Sequence, residues 1–439
     1  MFVVPDFLYN FIKVFTLIMS IVVFIHLGFY SILGLFGLKK VKRNYDIKAA
    51  DKSFLIIVPA HNEENVIDNC LESIGQLNYD KNLYKVVTLA DNCNDKTASI
   101  VRKRDGVNLF ENRSKRGEPR GKPHVIGKYL RENKTYWQNF DYIVFLDADN
   151  LISENYLLEI NSQFLAHTDL TVIQGYLDSK NINESFMSRG YAAAYFITNR
   201  AIQYAKHRLG WNTSIGGTGF AIDTNYIKEN GWTPRSYTED FEIQVELSIQ
   251  GKKSTWNHFA KVYDEKPNDI KTSHVQRTRW SQGHWYIAIS KTGQQLGSLF
   301  KSKSLIELIS KCETLVYSYS MLRSVWLLGL VFLIVIDRRF IESFPYFFSL
   351  FWLWLFFEFI NYILLPTVYI IQEGESYFED LSVSQRIKEY LLLWIGYFYS
   401  TLLYYFAQIQ GFFTWFLPQN HWKKTEHSSA ISTDSLNRK

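Results

Sequence analysis

The chain has 439 residues, enough for two or three domain-sized units, and its net charge of +5 gives no case for a nucleic-acid-binding protein. Its three cysteines, Cys70, Cys93 and Cys312, lie far apart without a CxxC spacing. That pattern argues against a disulfide framework or a zinc site and is typical of a reducing compartment. Aromatic residues make up 17% of the chain, which is more than an ordinary soluble enzyme needs.

Charge-poor runs predict helices in a membrane. The first, 14–38, has 25 uncharged positions, enough to cross about 30 Å of hydrocarbon as a helix. It lacks a preceding basic region and a following cleavage site, so we expect a retained anchor rather than a cleaved signal peptide. Basic residues after the run indicate a cytoplasmic end there and an outside N-terminus. They are Lys39, Lys40, Lys42 and Arg43. Later runs cover 314–336, 343–372 and 390–420.

The residues between these runs have the size of one α/β domain. Continuously apolar strands alternate there with helical patterns, which predicts a parallel, doubly wound sheet. The first strand is stopped by Pro59, and the helix after it carries apolar residues from Val66 to Ile74 on one face. The predicted strands are 53–58, 84–90, 107–110, 142–146 and 170–176.

Polar residues follow three of the predicted strands directly. Ligands of such sheets bind outside the carboxyl ends of the strands, so we expect these residues to converge on one nucleotide site. The three clusters are His61 with Asn62 and Glu63, Asp91 with Asn92, and Asp147 with Asp149.

The acidic residues of these clusters suggest specific chemistry. Asp147 and Asp149 are two positions apart, so in an extended strand both project to one side, with no lysine or arginine beside them. They could hold a hard divalent cation through oxygen ligands, or could simply cap a helix. Asp91 could accept hydrogen bonds from a base N–H or a ribose hydroxyl, or could merely form a turn.

Two further segments carry charged residues with open roles. The loop 115–124 packs four basic residues around glycines and prolines, so it is either a solvated loop or a cationic loop facing a diphosphate. Glu239 and Asp240 begin a predicted helix, where they are either ordinary N-terminal charges or include a general base.

The chain becomes strongly hydrophobic after "HVQRTRWSQGHWYIA" (274–288). Cations and aromatics at such a boundary are typical interfacial anchors, and we expect Trp285 and Tyr286 to have this role. An amphipathic interfacial helix follows at 301–315. Arg323 and Glu358 interrupt later hydrophobic runs, where they could line a path for a growing glycan, pair with each other or, for Arg323, snorkel.

Seven motifs in order carry a family resemblance: VPAHNEE, ADNCNDKT, RGK, LDADN, GGTGF, TED and QRTRW. This order resembles the family 2 glycosyltransferases, and more narrowly the membrane-embedded β-glycan synthases that make cellulose, hyaluronan or poly-N-acetylglucosamine. The resemblance implies an α/β, Rossmann-like GT-A domain at 44–298, in the cytoplasm. An N-terminal transmembrane anchor (1–43), interfacial and transmembrane helices (299–420) and a cytoplasmic tail (421–439) would complete a multi-pass protein of the cell membrane.

The same resemblance implies roles for individual residues, with a UDP-sugar as donor and Mg²⁺ or Mn²⁺ as cofactor. Asp240 would be the catalytic base and Asp149 the metal ligand. The donor and its nucleotide would be held by Ala60, Glu63, Asp91, Lys122, Asp147, Arg279 and Thr425. The acceptor would be held by Gly217, Thr218, Gly219, Glu239, Gln276, Trp280 and Trp422. Trp422 and Thr425 belong to "WKKTEH", which resembles a gating loop but differs from the cellulose-synthase version at Lys424 and His427.

The function implied is inverting transfer of glucose or N-acetylglucosamine to the non-reducing end of a growing β-linked polysaccharide. We expect processive synthesis coupled to export, with accessory export subunits as further partners. The alternative enzyme transfers one sugar to a membrane lipid, such as diacylglycerol or a polyprenyl phosphate. A third alternative is a catalytically silent membrane subunit that binds nucleotide-sugar. A gating loop on the cytoplasmic side requires that segment 390–417 does not cross the membrane completely.

Overall fold

The computed structural model describes residues 4–342, 345–419 and 431. Its centre is one eight-stranded sheet in the spatial order β3-β2-β1-β4-β7-β6-β8-β5. The strands are β1 (Phe54–Ala60), β2 (Tyr84–Asp91), β3 (Val107–Asn112), β4 (Tyr142–Phe145), β5 (Leu151–Ile152), β6 (Leu170–Ser179), β7 (Phe220–Asp223) and β8 (Lys253–Asp264).

The sheet is mixed, and the expectation of an all-parallel sheet is wrong for two of its eight strands, β7 and β5. Strands β3, β2, β1 and β4 are parallel neighbours, as predicted. Strand β7 runs antiparallel to both β4 and β6, and β5 runs antiparallel to β8. Apolar runs alone do not reveal strand direction, and the short β7 gave no separate signal in the sequence.

Strand β1 continues through Pro59 to Ala60, two residues beyond the predicted end. The backbone oxygen of Ile57 accepts a hydrogen bond from Leu146, so alternate residues of β1 direct their backbone polar groups toward β4. Because β4 ends at Phe145, the missing N–H of Pro59 removes no hydrogen bond from the sheet.

Helices cover both faces of the sheet, and each face has its own hydrophobic core. Residues alternate between the cores along β1: Phe54 and Ile56 belong to one, Leu55 and Ile57 to the other. The first ten helices are α1 (Asp6–Leu35), α2 (Ile67–Gly75), α3 (Thr97–Val101), α4 (Lys122–Glu132), α5 (Lys134–Trp137), α6 (Tyr156–Ala166), α7 (Phe186–Thr198), α8 (Ala205–Leu209), α9 (Thr224–Asn230) and α10 (Glu239–Gln250).

Short turns of other helix types join some of these elements, and seven more α-helices follow the sheet in the described part of the chain. A 3₁₀ turn covers Phe36–Leu38, and π-helical turns cover Asn199–Tyr204 and Ile360–Leu364. The later helices are α11 (Ile270–Leu299), α12 (Leu305–Ser318), α13 (Leu322–Ile336), α14 (Arg339–Glu342), α15 (Pro345–Phe359), α16 (Leu365–Phe378) and α17 (Val383–Thr414).

Among the described residues, three helices are long and apolar enough to cross a membrane, judged by length and composition: Asp6–Leu38, Phe351–Phe378 and Val383–Thr414. The predicted span 314–336 is not one straight helix, because α12 and α13 meet there at a bend of 44°. If that bent pair counts as one span, the number rises to four.

Candidate active site

Two asparagines turn the chain sharply where β1 and β2 end. Asn62 and Asn92 have φ values of 60° and 52°, in the left-handed region that asparagine tolerates better than most residues. Their side-chain oxygens accept backbone hydrogen bonds from Asn94 and Ser114, both at 2.8 Å. Because β1, β2 and β4 are parallel neighbours, the three predicted polar clusters do meet at one edge of the sheet.

A cavity of about 570 Å³ opens at this edge and continues toward α11, α12 and α17. Eleven of the residues proposed from the sequence line it together, although they come from segments more than 200 positions apart. They are Glu63, Lys122, Asp147, Asp149, Gly217, Thr218, Glu239, Asp240, Gln276, Arg279 and Trp280.

Lys122 contacts three oxygen atoms at the polar end of this cavity. It is the first residue of α4, and its Nζ lies 2.6 Å from Asp147 Oδ1, 3.0 Å from Glu239 Oε1 and 2.6 Å from the carbonyl oxygen of Gly217. Burial alone would lower the pKa of Lys122, but the Asp147 and Glu239 carboxylates raise it well above its ordinary value. The ammonium group is therefore a fixed positive charge inside the cavity.

Asp147 and Asp149 are not on an extended strand, contrary to the geometry inferred from their spacing. Strand β4 ends at Phe145, and Asp147 begins a tight turn in which the N–H of Asn150 donates to its carbonyl oxygen at 3.1 Å. Lys122 also supplies the cationic partner that the neighbouring sequence lacks for Asp147. A lysine 25 positions earlier in the chain gave no signal that it would meet this aspartate.

Asp149 is only 7% exposed, and burial together with the Asp264 carboxylate raises its pKa well above the ordinary value. The ammonium group of Lys180 opposes this shift and donates to the carbonyl oxygen of Asp149 at 2.8 Å. Within the described residues, no group of three or more histidine, cysteine or acidic side chains could hold a metal ion alone. The donor set instead fits a hard cation that takes one or two carboxylates here and other oxygens from a bound phosphate.

Asp240 lies on the cavity wall at the second position of α10. Its Oδ1 accepts the N–H of Phe241 at 2.8 Å, and a Cβ at Gly217 would lie 3.3 Å from its Oδ2. Burial and the neighbouring Glu239 charge raise the pKa of Asp240 to about 7. A carboxylate with such a pKa can accept a proton near neutral pH, as a general base must.

Helix α11 presents one face to the cavity and the other to α17. Gln276, Arg279 and Trp280 line the cavity, whereas Arg277 is buried on the other face and donates through Nη2 to Ser400 Oγ at 2.6 Å. The two arginines of "HVQRTRW" therefore differ in role. Trp285 is not an exposed interfacial anchor, because it is 2% exposed and packs between α11 and α17.

Three proposed residues lie outside the cavity lining. Ala60 is fully buried at the end of β1, and Gly219 faces Val262 of β8 too closely to admit a Cβ. Asp91 is 1% exposed, and its Oδ1 accepts hydrogen bonds from Asn112 at 2.6 Å and from its neighbour Asn92 at 2.7 Å. Burial raises the pKa of Asp91, and the Asn112 hydrogen bond opposes that shift. Trp422 and Thr425 fall outside the described residues.

The cavity also has lining residues that the sequence did not single out. They are mostly aromatic or polar side chains from distant segments, which the fold brings to the site. They include Tyr195, Tyr237, Asp264, His284, Tyr317, Tyr404, Gln408 and Gln419. The available signal for Gln408 was a polar residue within an apolar run, and nothing in the local sequence pointed to Tyr237 or Asp264.

The chain matches the family described as "Glycosyltransferase like family 2" over residues 51–283. It is 24% identical over 244 residues to a probable glycosyltransferase, YdaM, of Bacillus subtilis, covering 54% of this chain and 57% of that protein. It is 23% identical over 267 residues to the β-monoglucosyldiacylglycerol synthase of Nostoc sp., covering 58% of this chain and 55% of that protein. The chain thus spans about half the length of the curated relatives it matches.

Among solved structures, a mannosyltransferase of Pyrobaculum calidifontis, PcManGT in complex with GDP-Man and Mn²⁺, has a similar fold. The TM-score is 0.55 at 15% sequence identity, and the match covers 91% of this chain and 98% of that chain. This likeness and the sheet confirm the expected Rossmann-like GT-A fold. Because the family match covers more than half of the chain, the protein belongs to the family described as glycosyltransferase-like family 2.

Proposed function

We propose that the protein transfers a sugar from a UDP-sugar, with inversion, to an acceptor hydroxyl held near Trp280. The observation that carries this proposal is the position of Asp240, a half-buried carboxylate with a raised pKa, on the wall of a single cavity. Charged groups suited to a diphosphate, Lys122 and Arg279, line the same cavity. Gln276 and Trp280 supply a polar group and an apolar ring face for the acceptor.

The donor end would bind the nucleotide and its diphosphate. Glu63 and Asp91 would contact the uridine, although Arg120 and the backbone of Gly121 lie close to the buried Asp91 carboxylate. The loop that carries them would therefore have to shift to admit the base. Asp149 would hold Mg²⁺ or Mn²⁺, which when bound neutralises charge on the diphosphate and so favours its departure.

The chemistry would be a single in-line displacement. Asp240 removes the proton of the acceptor hydroxyl while that oxygen attacks the anomeric carbon. The bond from the anomeric carbon to the diphosphate oxygen breaks on the opposite face, so an α-linked donor gives a β-linked product. Lys122 and Arg279 stabilise the negative charge that develops on the leaving diphosphate. One base suffices, unlike the paired carboxylates of glycosidases.

We propose that the protein lies in the cell membrane with its active site at the cytoplasmic face. Contacts at the two ends of α1 support this. At one end of the bundle, Val4 N donates to Asp337 Oδ2 at 3.0 Å, and Asp6 pairs with Arg339 at 2.8 Å. At the other end of α1, Arg200 of the sheet domain donates to the carbonyl oxygen of Gly37 at 3.0 Å. We propose that the first end faces outward and the second faces the cytoplasm, where the basic residues after α1 belong.

Helix α17 is proposed to lie along the membrane surface instead of crossing it. It is about 48 Å long, yet it contacts the sheet domain and α11 near both ends. Glu389 pairs with Arg189 near its start, and near its end Gln282 donates to the carbonyl oxygen of Thr414 at 2.7 Å. Beyond α17, the carbonyl oxygen of Ile431 accepts a hydrogen bond from Asn69 of α2 at 3.4 Å. These contacts support a cytoplasmic C-terminal tail.

Two acceptor classes are compatible with transfer at this site. The resemblance to β-glycan synthases supports a growing β-linked polysaccharide, made processively and exported with accessory subunits. The similarity to a relative named β-monoglucosyldiacylglycerol synthase supports a membrane lipid. Both classes use the same donor, base and inverting displacement, so the proposed reaction does not depend on the choice.

The Asp240→Asn variant tests the proposed base. We expect transfer from a UDP-sugar to fall by about 10²–10⁴-fold, because the amide cannot take the proton, while UDP binding remains. Glu246→Gln is the matched control, since Glu246 lies on the same helix but outside the cavity. Full activity of Asp240→Asn would refute the assignment. Removal of divalent cations by a chelator should also abolish transfer, and Mg²⁺ or Mn²⁺ should restore it.

A further inference from the structure

The catalytic cavity extends past Asp240 toward the membrane helices. Beyond Trp280, its walls are His284 of α11 and Ser320 and Met321 at the bend between α12 and α13. Helix α17 closes the opposite side with Tyr404 and Gln408. The acceptor end of the cavity therefore reaches the membrane helices at this bend, where Met321 packs toward Tyr404 of α17.

A set of polar contacts closes the route deeper into the bundle. Ser324, one turn into α13, hydrogen bonds to Gln408. Arg323 lies 2.9 Å from both Glu358 Oε1 and Tyr362 OH, and Tyr362 OH lies 3.0 Å from Tyr405 OH. These contacts tie α13, the α15–α16 segment and α17 together directly behind the cavity. Of the roles considered for Arg323 and Glu358, mutual pairing is therefore the one that is observed.

Next to these polar contacts, α1 packs tightly against the α15–α16 segment. A Cβ at Gly28 of α1 would meet the Phe357 ring at 2.9 Å, and Gly34 of α1 contacts Leu365 so closely that no Cβ fits. Close contacts of this kind leave little room between α1 and the α15–α16 segment for a sugar chain. A polymer passing outward would have to break the Arg323–Glu358 pair and separate these helices.

Beside the cavity, α13 and α17 carry apolar side chains that are exposed. Leu327 of α13 is 42% exposed, and Leu402 and Phe406 of α17 are 59% and 61% exposed, on the turns that flank Tyr404. Exposed apolar residues on helices of this length are suited to contact with lipid chains. A molecule with a polar head and apolar chains could therefore bind its head in the cavity while its chains contact these surfaces.

The membrane-side end of the cavity carries no unpaired cation among the described residues. Burial lowers the pKa of His284 to about 4, so its ring is neutral at physiological pH. Arg277 is bound to Ser400 and lies over the rings of Tyr191 and Tyr404, and Arg323 is paired with Glu358. Hydroxyl, amide and aromatic groups remain, which suit an uncharged, hydroxyl-bearing headgroup better than a phosphate.

We infer that the acceptor is a neutral, hydroxyl-bearing membrane lipid that reaches Asp240 sideways from the bilayer, between the α12–α13 bend and α17. This inference rests on the proposed function and names its acceptor class. The lipid hydroxyl oxygen bonds to the anomeric carbon, the bond from that carbon to UDP breaks, and the hydroxyl proton passes to Asp240. The products are a neutral β-glycolipid and UDP, and the lipid chains stay in the bilayer throughout.

The test uses the full chain in lipid nanodiscs with radiolabelled UDP-glucose or UDP-N-acetylglucosamine. Separate nanodiscs contain dioleoylglycerol, a monoglucosyl-diacylglycerol, a polyprenyl phosphate or none of these. We expect label in the organic phase with a neutral lipid, as a product extended by one or two sugars. Label in a water-soluble or insoluble polysaccharide, or transfer only to the polyprenyl phosphate, would overturn the inference and leave the proposed function intact. Loss of transfer to every acceptor would overturn both.

A variant pair tests the sideways route. Met321→Trp puts a larger side chain at the membrane-side end of the cavity and should lower transfer to the neutral lipid at least tenfold, while transfer to a water-soluble alkyl glycoside falls less. Leu328→Trp is the matched control, because Leu328 lies on the same helix with an exposed side chain and does not line the cavity. Thermal stabilisation by UDP checks that both variants fold. Equal losses for lipid and soluble acceptors, or equal effects of the two tryptophans, would contradict the route.

Discussion

The raised pKa of Asp240 should make the reaction pH-dependent near neutrality. Its pKa is raised to about 7, and only the deprotonated form can accept the hydroxyl proton. We therefore expect kcat/KM to rise with pH and to reach half its plateau near pH 7. Initial rates between pH 5.5 and 8.5, at a fixed concentration of divalent cation, check this. A rate that is flat across this range would mean that another group takes the proton.

The companion variant Glu239→Gln separates the two causes of the raised pKa of Asp240, which are its burial and the neighbouring negative charge. Removing the neighbouring negative charge should lower the pKa of Asp240, so the midpoint of the pH profile moves to lower pH. The plateau should also fall, because Glu239 is one of the two carboxylates that hold Lys122. An unshifted midpoint would show that burial alone sets the pKa of Asp240.

Gly217 has two properties that a larger residue would disturb. Its φ is +80°, which favours glycine, and a Cβ there would lie 3.3 Å from Asp240 Oδ2. Gly217→Ala should lower the free energy of unfolding by about 1–2 kcal/mol and reduce transfer at least tenfold by displacing the base. Gly210→Ala is the matched control, with φ +69° but open space around it. It should show the stability loss in thermal unfolding without the activity loss.

At the scale of elements, Arg277 fastens α11 to α17. It is 5% exposed, donates to Ser400 and lies 4.0 Å from the centre of the Tyr191 ring. Arg277→Leu should destabilise the protein by about 1.5–3 kcal/mol, because charge-assisted hydrogen bonds and ring contacts disappear together. Thermal unfolding and limited proteolysis of α17 measure this. Arg277→Lys should lie in between, since lysine keeps the charge but not the planar donors.

How far the sequence predicts this molecule depends on the distance over which each contact acts. The first strands and their polar ends follow from local patterns, because a buried parallel strand needs an apolar run and a turn needs residues such as Asn62 and Asn92. The Lys122–Asp147 pair and the Arg277–Ser400 contact join segments 25 and 123 positions apart. Such partners have no local signature, so the environment of Asp147 and the role of Arg277 required the fold.

At the scale of the whole molecule, the proposed course of α17 predicts which positions face the same side of the membrane. Ser382 precedes α17 and Leu417 follows it, and both are exposed. Single cysteines at these positions should react with a membrane-impermeant thiol reagent only when the cytoplasmic face is open. A cysteine at Arg338, at the opposite end of the bundle, should react from outside. The background needs Cys312→Ser, because Cys312 is an exposed native thiol. Opposite labelling of Ser382 and Leu417 would show that α17 crosses.

Variants of the Arg323–Glu358 pair test both the stability of the helices outside the sheet and the class of acceptor. Glu358→Leu leaves an arginine without its carboxylate in an apolar environment and should cost about 3–5 kcal/mol, whereas the double change to leucine should cost far less because no unpaired charge remains. Thermal unfolding in one detergent compares the three proteins. If the pair only closes the bundle behind a lipid acceptor, the double variant should still make the same short glycolipid. A change in product length would instead mean that the growing chain passes between these residues.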